Sequence, residues 1–187
     1  SINEIIGRTD LLSQVNKGAS NLDDLDLNPL LVQTDPGENL RFCKDKLINK
    51  VPDTLDEKIW SDIKENINPN SKNNFNYEIE NTSRSVGTRL SHYIYKRFGN
   101  NKLPVDTINI KLTGSAGQSL GAFLTKGIKL IVEGDCNDYV GKGLSGGIIT
   151  VYPSTKNKLI SNENTIIGNT VLYGATSGKL FASGQAG

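Results

Sequence analysis

Methionine is absent from the 187 residues, histidine occurs once and cysteine only twice. Net charge is nearly absent as well, because 21 Lys and Arg residues balance 20 Asp and Glu residues and leave +1. A chain with so little net charge creates no long-range field that would attract nucleic acid or anionic lipid. We therefore expect neither nucleic acid nor a membrane among its partners.

Long apolar runs are missing too. No stretch approaches the roughly 20 residues that span a bilayer, and the N-terminus lacks the basic-then-apolar order of a signal peptide. The sequence therefore predicts a soluble, intracellular protein. Because the first residue is not Met and the chain stops inside a glycine-rich pattern, we expect both ends to be cuts in a longer protein.

The two cysteines, Cys43 and Cys136, are far apart and have no second Cys or His at the spacing of metal ligands. Neither a zinc site nor an iron–sulfur site can be assembled locally from them. A disulfide between them would need an oxidising compartment that nothing else supports. We interpret both as buried thiols.

The first half of the chain carries signals for short elements. Ser1-Ile2-Asn3-Glu4 fits a capping box before a helical turn that ends at Gly7, and the region up to about residue 51 is predicted as short pieces joined by loops. Leu55, Ile59, Ile63 and Ile67 follow a second capping box at four-residue spacing and predict an amphipathic helix that ends before Asn68-Pro69. Alternation over residues 75–80 predicts a half-buried strand.

A further helix is predicted from about Arg84 to Phe98. It carries the only histidine, His92. Since no acid or nucleophile accompanies this residue in the sequence, we interpret it as a packing or surface residue rather than a catalytic base.

Glycine changes the character of the second half, because 14 of the 19 glycines follow Thr113. Three segments can be superposed, each with two glycines followed by a β-rich run: Gly121 to Val132, Gly141 to Val151, and Gly174 to Ala182. Such spacing is typical of solenoid repeats, in which one repeat cannot bury its apolar face alone. We predict a mainly β fold, a right-handed parallel β-helix over residues 81–187 that is truncated at its C-terminus, preceded by a small mixed α/β linker region over residues 1–80.

Ten glycines are predicted to be structural, at corners where positive φ or a close backbone approach is needed. They are Gly114, Gly117, Gly121, Gly134, Gly141, Gly143, Gly146, Gly147, Gly174 and Gly178. We predict no catalytic, cofactor-binding or metal-binding residue in this chain.

One motif argues for a different function. Gly141-Lys142-Gly143-Leu144-Ser145-Gly146 spells the dinucleotide fingerprint G-x-G-x-x-G. That fingerprint needs a helix directly after it, whereas a β-rich run closed by Pro153 follows here. We therefore favour a structural corner over a nucleotide site.

An acidic group surrounds Tyr139 and consists of Glu133, Asp135 and Asp138. Paired carboxylates can perform acid–base chemistry, but nothing nearby in the sequence supplies the rest of a site. Asp135 and Asn137 are expected to bond their own backbone in turns.

The sequence resembles the C-terminal part of the large chain of glutamate synthase, the domain named for its G-x-G-x-G motif. The resemblance rests on residues 4–12, 81–87, 114–119, 133–147 and 168–178. Cys136 departs from it, since the family commonly has Ala there, and both residues are small. The sequence of residues 123–125 and 167–170 resembles the ferredoxin-dependent form of the enzyme more than the pyridine-nucleotide form.

The resemblance implies a function for the whole enzyme. Glutamine would be hydrolysed at an N-terminal cysteine, and the ammonia would be combined reductively with 2-oxoglutarate at an FMN site. Reduced ferredoxin would supply electrons through a 3Fe-4S cluster, with FAD left open as a third cofactor. The catalytic groups would lie upstream, so the partners of this segment would be the glutaminase and FMN domains of the same chain.

Composition adds an expectation about location. Asn, Ile and Lys are heavily used, which suggests an AT-rich genome and a plastid stroma, with a cyanobacterial cytoplasm as the alternative. Three functional alternatives stay open at this point: an NAD(P)H-dependent glutamate synthase, a β-helix subunit of another redox complex such as formylmethanofuran dehydrogenase, and a nucleotide-binding enzyme that uses Gly141 to Gly146.

Overall fold

The computed structural model describes residues 1–16, 18, 23–44, 52–99, 103–154, 156 and 158–187. The chain divides into two compact units, Ser1–Val51 and Pro52–Gly187. The predicted division into residues 1–80 and 81–187 stays a prediction.

The described part of the first unit contains one short helix, α1 (Ile2–Ile5), and two 3-10 turns, Thr9–Leu11 and Asn28–Leu30. At the start of α1 the Glu4 carboxylate accepts a hydrogen bond from the Ser1 amino group at 2.7 Å. The predicted short pieces are thus found where this unit is described. Cys43 is exposed, so the prediction that both thiols are buried is wrong for this residue.

The second unit begins with helix α2 (Leu55–Ile63), which is shorter than its apolar pattern. Asn66 bonds back to the carbonyls of Ile63 and Asp62 and so closes the last turn before Asn68-Pro69. Ile67 is buried although it lies beyond the helix.

Strand β1 (Asn73–Ile79) follows, and then helix α3 (Thr88–Phe98). The prediction that this helix starts at Arg84 is wrong. Ser85 has a φ of 54° and Gly87 a φ of 100°, and these left-handed conformations cannot belong to a right-handed helix.

The described residues form a sheet of seven strands, and each pairing between these strands is parallel. Its further strands are β2 (Ile108–Ala116), β3 (Ile128–Cys136), β4 (Ser145–Tyr152), β5 (Thr165–Ile167), β6 (Ser177–Ala182) and β7 (Gln185–Ala186). The order is β1-β2-β3-β4-β6, with β5 between β3 and β7. The fold of the described chain is therefore mainly β, as predicted.

The three repeated segments are neighbours in this sheet. Lys129 pairs with Ile148, and Ile148 pairs with Lys179, so β3, β4 and β6 stack in register. Alternate side chains of β2, β3 and β4 point to one fully buried face, which includes Ile110, Leu130 and Ile149. The apolar core of the unit lies behind these strands.

Candidate functional site

Four tight corners connect or precede the strands: residues 85–87, 119–123, 139–143 and 170–174. In each corner alternate residues have left-handed φ. The φ values are 63°, 66° and 55° at Ser119, Gly121 and Phe123, 63°, 67° and 63° at Tyr139, Gly141 and Gly143, and 56°, 57° and 67° at Thr170, Leu172 and Gly174. The same backbone shape therefore recurs, and glycine is only one of the residues that adopt it.

The corners form a hydrogen-bonded ladder whose direction alternates. One set of N–H groups donates to the preceding corner: Gly121 to Val86 at 2.7 Å, Gly141 to Leu120 at 2.9 Å, and Leu172 to Val140 at 2.9 Å. Another set donates to the following corner or to the residue just before it: Ser119 to Asp138, Phe123 to Lys142 and Gly143 to Tyr173, each at 2.8 Å, and Tyr139 to Asn169 at 2.9 Å. Alternating φ explains this pattern, because it turns successive N–H groups to opposite sides.

The G-x-G sequence at the third corner is explained by the side chains of its neighbours. A Cβ on Gly143 would lie 2.5 Å from ring atoms of Phe123, and a Cβ on Gly141 would lie 2.9 Å from a methyl carbon of Leu172. The two glycines thus leave space for side chains from the corners on either side.

These bonds also occupy the donors that a phosphate would need. The N–H groups of Gly141, Lys142, Gly143 and Leu144 all donate to backbone carbonyls, and strand β4 follows instead of a helix. A diphosphate at a dinucleotide fingerprint requires free N–H groups at a helix N-terminus. This arrangement is that of a packed corner.

Gly114 and Gly134 lie where an added Cβ would meet backbone atoms of the neighbouring strand. They are partners in β2 and β3, with φ of 128° and 151°. A Cβ on Gly134 would overlap the carbonyl oxygen of Gly114, and one on Gly114 would overlap that of Ile79. Backbone atoms cannot turn away as a side chain can, so any other residue at these positions would force the neighbouring strands apart.

The remaining predicted structural glycines lie in or beside the strands and corners. Gly146 and Gly147 are in β4 and Gly178 is in β6, while Gly117 precedes the second corner. A Cβ on Gly178 would lie 2.6 Å from the carbonyl oxygen of Gly147. Gly174, in contrast, has no atom within 4 Å of an added Cβ.

A buried carboxylate that the sequence patterns did not identify ties α2 to the start of α3. Asp56 is 2% exposed and accepts hydrogen bonds from the N–H groups of Gly87, Arg89 and Leu90 at 2.7, 2.8 and 3.3 Å. Burial raises the pKa of this carboxyl, and the three donors oppose that shift. Little in the sequence indicated this role for Asp56, because acidic residues are common in the first turn of any helix.

The acidic group predicted around Tyr139 does not converge on a common site. Glu133 forms an ion pair with Lys111 at 2.7 Å and accepts from Ser154 at 3.1 Å. Hydrogen bonding to Lys111 is the main cause that lowers the pKa of Glu133. Asp138, for its part, accepts from the N–H of Asn169 at 2.8 Å.

The predicted turn bonds are found at one of the two residues. The side chain of Asn137 accepts from the N–H of Asp138 at 2.8 Å. Asp135 lies inside β3, paired with Ser115, so the prediction of a turn there is wrong. The neighbouring Cys136 is buried, and this burial raises the pKa of its thiol to about 12.

His92 is placed on the outer side of α3, at a cavity of about 390 Å³ that Tyr95 and Phe123 also line. Its ring centroid lies 5.7 Å from that of Tyr93. Among the described residues that line this cavity there is no carboxylate and no cysteine. The described lining thus gives His92 no acidic or thiol partner.

Metal and membrane sites were sought in the described residues alone. Within them, no three His, Cys, Asp or Glu side chains are grouped so that they could hold a metal ion. Nor does any described helix have the length and apolarity needed to cross a membrane.

Comparison with known proteins places these features in a family. The family model described as "GXGXG motif" matches residues 56–187. Over its whole length the chain is 59% identical to the glutamate synthase [NADPH] large chain of Azospirillum brasilense, of which it covers 12%. It is 42% identical to the glutamate synthase [NADH] of Saccharomyces cerevisiae, covering 9%, and 42% identical to a ferredoxin-dependent glutamate synthase 2 of Synechocystis, covering 12%.

The chain therefore spans about one tenth of the length of these relatives. Its family match covers the glycine corners, the strands between them and both helices of the second unit. The chain belongs to the GXGXG motif family, and it resembles the part of glutamate synthase large chains that aligns with it.

Proposed function

We propose that this chain is the non-catalytic scaffold of a glutamate synthase large chain. The observation that carries the proposal is the ladder of corners, in which the polar backbone groups of the G-x-G motif bond to neighbouring corners. Groups that are committed to the scaffold cannot also hold a substrate. The ten glycines named in the sequence analysis are then structural, and the chain supplies no catalytic or cofactor-binding residue.

The scaffold is proposed to be a right-handed parallel β-helix. Parallel strands in register and corners of recurring shape support this architecture. Each turn of such a solenoid buries its apolar face only against the next turn. On this proposal residues 81–187 form the solenoid and residues 1–80 the linker region.

The whole protein is proposed to form two molecules of L-glutamate from glutamine and 2-oxoglutarate. The flavin and the 3Fe-4S cluster that this reaction requires are assigned to the rest of the protein, as are the glutaminase and FMN domains that would be its partners. No step of the reaction is derived from the residues described above.

The electron donor has two candidates. The 59% identity with an NADPH-dependent large chain favours NADPH. Two observations support ferredoxin: the sequence of residues 123–125 and 167–170, and the 42% identity with the ferredoxin-dependent relative from Synechocystis. A plastid stroma or a cyanobacterial cytoplasm is proposed together with the ferredoxin form only.

The test is an assay of the full-length protein that contains this sequence. Glutamate formation from glutamine and 2-oxoglutarate is measured with reduced ferredoxin or with NADPH, on the protein isolated together with its bound subunits. We expect activity with one donor, and no glutamate with either donor would overturn the proposal. The purified 187-residue chain should show no flavin absorbance, and bound flavin would contradict the scaffold role.

A further inference from the structure

Charge is distributed unevenly over the second unit. Helix α3 and the segments 119–127, 139–147 and 170–178 contain no Asp or Glu, although the whole chain has 20. They do contain five cationic residues, which are Arg89, Lys96, Arg97, Lys126 and Lys142. Arg89 is paired with Glu57 of α2 at 3.0 Å, and Asp138 directly precedes the third corner. The positive charge that remains on the corner side therefore comes from Lys96, Arg97, Lys126 and Lys142.

Exposed aromatic side chains lie on this same side. We define the aromatic strip as His92, Tyr95, Phe123, Tyr139, Lys142 and Tyr173. Tyr95, Phe123 and Tyr173 are 54%, 56% and 63% exposed. Large aromatic groups are rarely left in water over a contiguous surface unless it serves as a contact site.

Members of the strip are linked from one corner to the next. His92, Tyr95 and Phe123 line the same cavity. Phe123 donates its N–H to the carbonyl of Lys142 at 2.8 Å, and the ammonium group of Lys142 lies 5.6 Å from the centre of the Tyr139 ring. Gly143 then donates to Tyr173 at 2.8 Å, so the strip crosses three corners.

Three of the hydroxyl groups that line the cavity bond within the chain. Thr88 donates to the carbonyl of Ala122 at 2.9 Å, and Ser91 donates to that of Gly87 at 2.6 Å. Ser145 donates to the carbonyl of Phe123 at 3.4 Å. A small polar ligand would find these groups already engaged, whereas an apolar side chain could enter without leaving any of them unpaired.

We propose that the aromatic strip docks against another part of the same large chain, on a surface that combines apolar side chains with carboxylates. Two observations select this occupant. The chain covers only 9–12% of its relatives, so most of such a protein lies outside it. The strip is basic and aromatic, and its electrostatic complement is acidic. The inference rests on the proposed function, because it takes the chain to be part of a large chain.

The test uses photocrosslinking in the full-length protein. p-Benzoylphenylalanine replaces Tyr95 or Tyr173, and as a control it replaces Val105, which is exposed in the loop before β2 and is outside the strip. Crosslinked peptides are identified by mass spectrometry, with mixed isotope labelling to separate contacts within one chain from contacts between copies. We expect Tyr95 and Tyr173 probes to label the same Asp- and Glu-rich region outside these 187 residues, and the Val105 probe not to label it.

Charge reversal then tests the complementarity. The double substitution Lys96→Glu and Lys142→Glu should lower the crosslink yield by about fivefold or more, while Lys158→Glu should leave it unchanged. Crosslinks confined to these 187 residues, crosslinks to a second copy, or yields indifferent to charge reversal would overturn the docking proposal. Intact crosslinks without glutamate synthase activity would instead contradict the proposed function alone.

Discussion

At the scale of single residues, the absence of one carbon atom decides whether neighbouring strands can approach. Gly114 and Gly134 are paired in register, and in each glycine a hydrogen atom lies where the Cβ of another residue would be. Gly174 has a left-handed φ of 67° but no atom within 4 Å of an added Cβ. Glycine therefore serves two separable purposes here, close approach at Gly134 and backbone conformation at Gly174.

Replacement of Gly134 by Ala should lower the free energy of unfolding by about 3 kcal/mol or more, because β2 and β3 must separate. Gly174→Ala is the control for conformation alone and should cost about 1 kcal/mol. Urea unfolding followed through Trp60, the only tryptophan, reports on the second unit. Equal losses in the two variants would contradict this account.

The ion pair of Glu133 with Lys111 predicts a dependence on pH. Since the pKa of Glu133 is lowered in the folded chain, its contribution to stability is present above the ordinary Glu pKa and is lost as pH falls through the folded value. The variant Glu133→Gln should be less stable than the parent at pH 7, and the difference should vanish on acidification below that value. Urea midpoints from pH 7 to pH 2 measure it, and a difference that persists in acid would exclude this pair as its cause.

Side-chain spacing identified some of these residues and missed others. The density of glycine predicted the corners, because positions with positive φ favour glycine and so enrich the corners in it. The left-handed φ of Ser119, Tyr139 and Leu172 could not be recognised from the residue types. These residues adopt it only where the ladder of hydrogen bonds imposes it. Exposure of Cys43 was not predictable either, because cysteine is usually buried and its neighbours in sequence give no contrary signal.

At the scale of elements, helices α2 and α3 are joined through polar as well as apolar contacts. The rings of Trp60 and Tyr93 stack with centroids 5.1 Å apart, and Tyr93 donates to Glu57 at 2.6 Å. Asp56 then fixes the start of α3 from the side of α2. The beginning of α3 is thus set by a residue more than thirty positions earlier in the chain.

Removal of this carboxylate should leave three N–H groups at the start of α3 without an acceptor. Asp56→Ala is expected to destabilise the second unit by about 2–4 kcal/mol, and Asp56→Asn by less, because one side-chain oxygen remains. Asp53→Ala, at an exposed position one turn earlier, is the matched control and should stay within about 0.5 kcal/mol of the parent. Urea unfolding measures all three, and an Asp56→Ala variant as stable as the control would contradict the capping role.

The limits of both helices were less predictable than their apolar faces. Val86 and Ile67 continue the pattern of each helix and are buried, yet both lie outside the helical segments. Burial alone produces the apolar pattern, whereas these two ends are set by hydrogen bonds between side chains and backbone, such as those of Asn66 and Asp56. The start of α2 after its capping box and the end of α3 at Phe98 agree with the prediction, whereas the end of α2 and the start of α3 were not predicted.

At the scale of the whole molecule, each strand is stabilised mainly by its neighbours in the stack. Strand β3 pairs with β2 on one side and β4 on the other. Strand β6 is the last in the order β1-β2-β3-β4-β6 and pairs only with β4. The side chains of β6 are also largely exposed. Stability in a stacked arrangement is approximately a sum of nearest-neighbour terms, so it should fall towards this end of the 187-residue chain.

Hydrogen exchange should reveal this gradient. Amides of β2 and β3 are expected to exchange at least about tenfold more slowly than those of β6 and β7, because local opening needs fewer contacts to be lost at the end of the stack. Exchange followed by mass spectrometry with peptide resolution provides the measurement. Uniform protection across all strands would show that the second unit opens only as one cooperative body.

Parallel stacking was predictable from the sequence because three segments repeat glycines and β-rich runs in the same order. The contribution of β1 to the same sheet was not, since its alternating residues resemble any half-buried strand. The aromatic strip was also hidden, because His92, Phe123 and Tyr173 are distant in sequence and are brought together only by the register of the corners.

The ladder of corners has a consequence for how such a sequence can change in length. Its bonds join backbone to backbone, and the corner at residues 170–174 bonds to the preceding corner although β4 ends at Tyr152 and β5 begins only at Thr165. Extra residues at that point therefore need not disturb the neighbouring turns. This position is accordingly the place where an epitope, a label or a small domain could be inserted during engineering without rebuilding the scaffold.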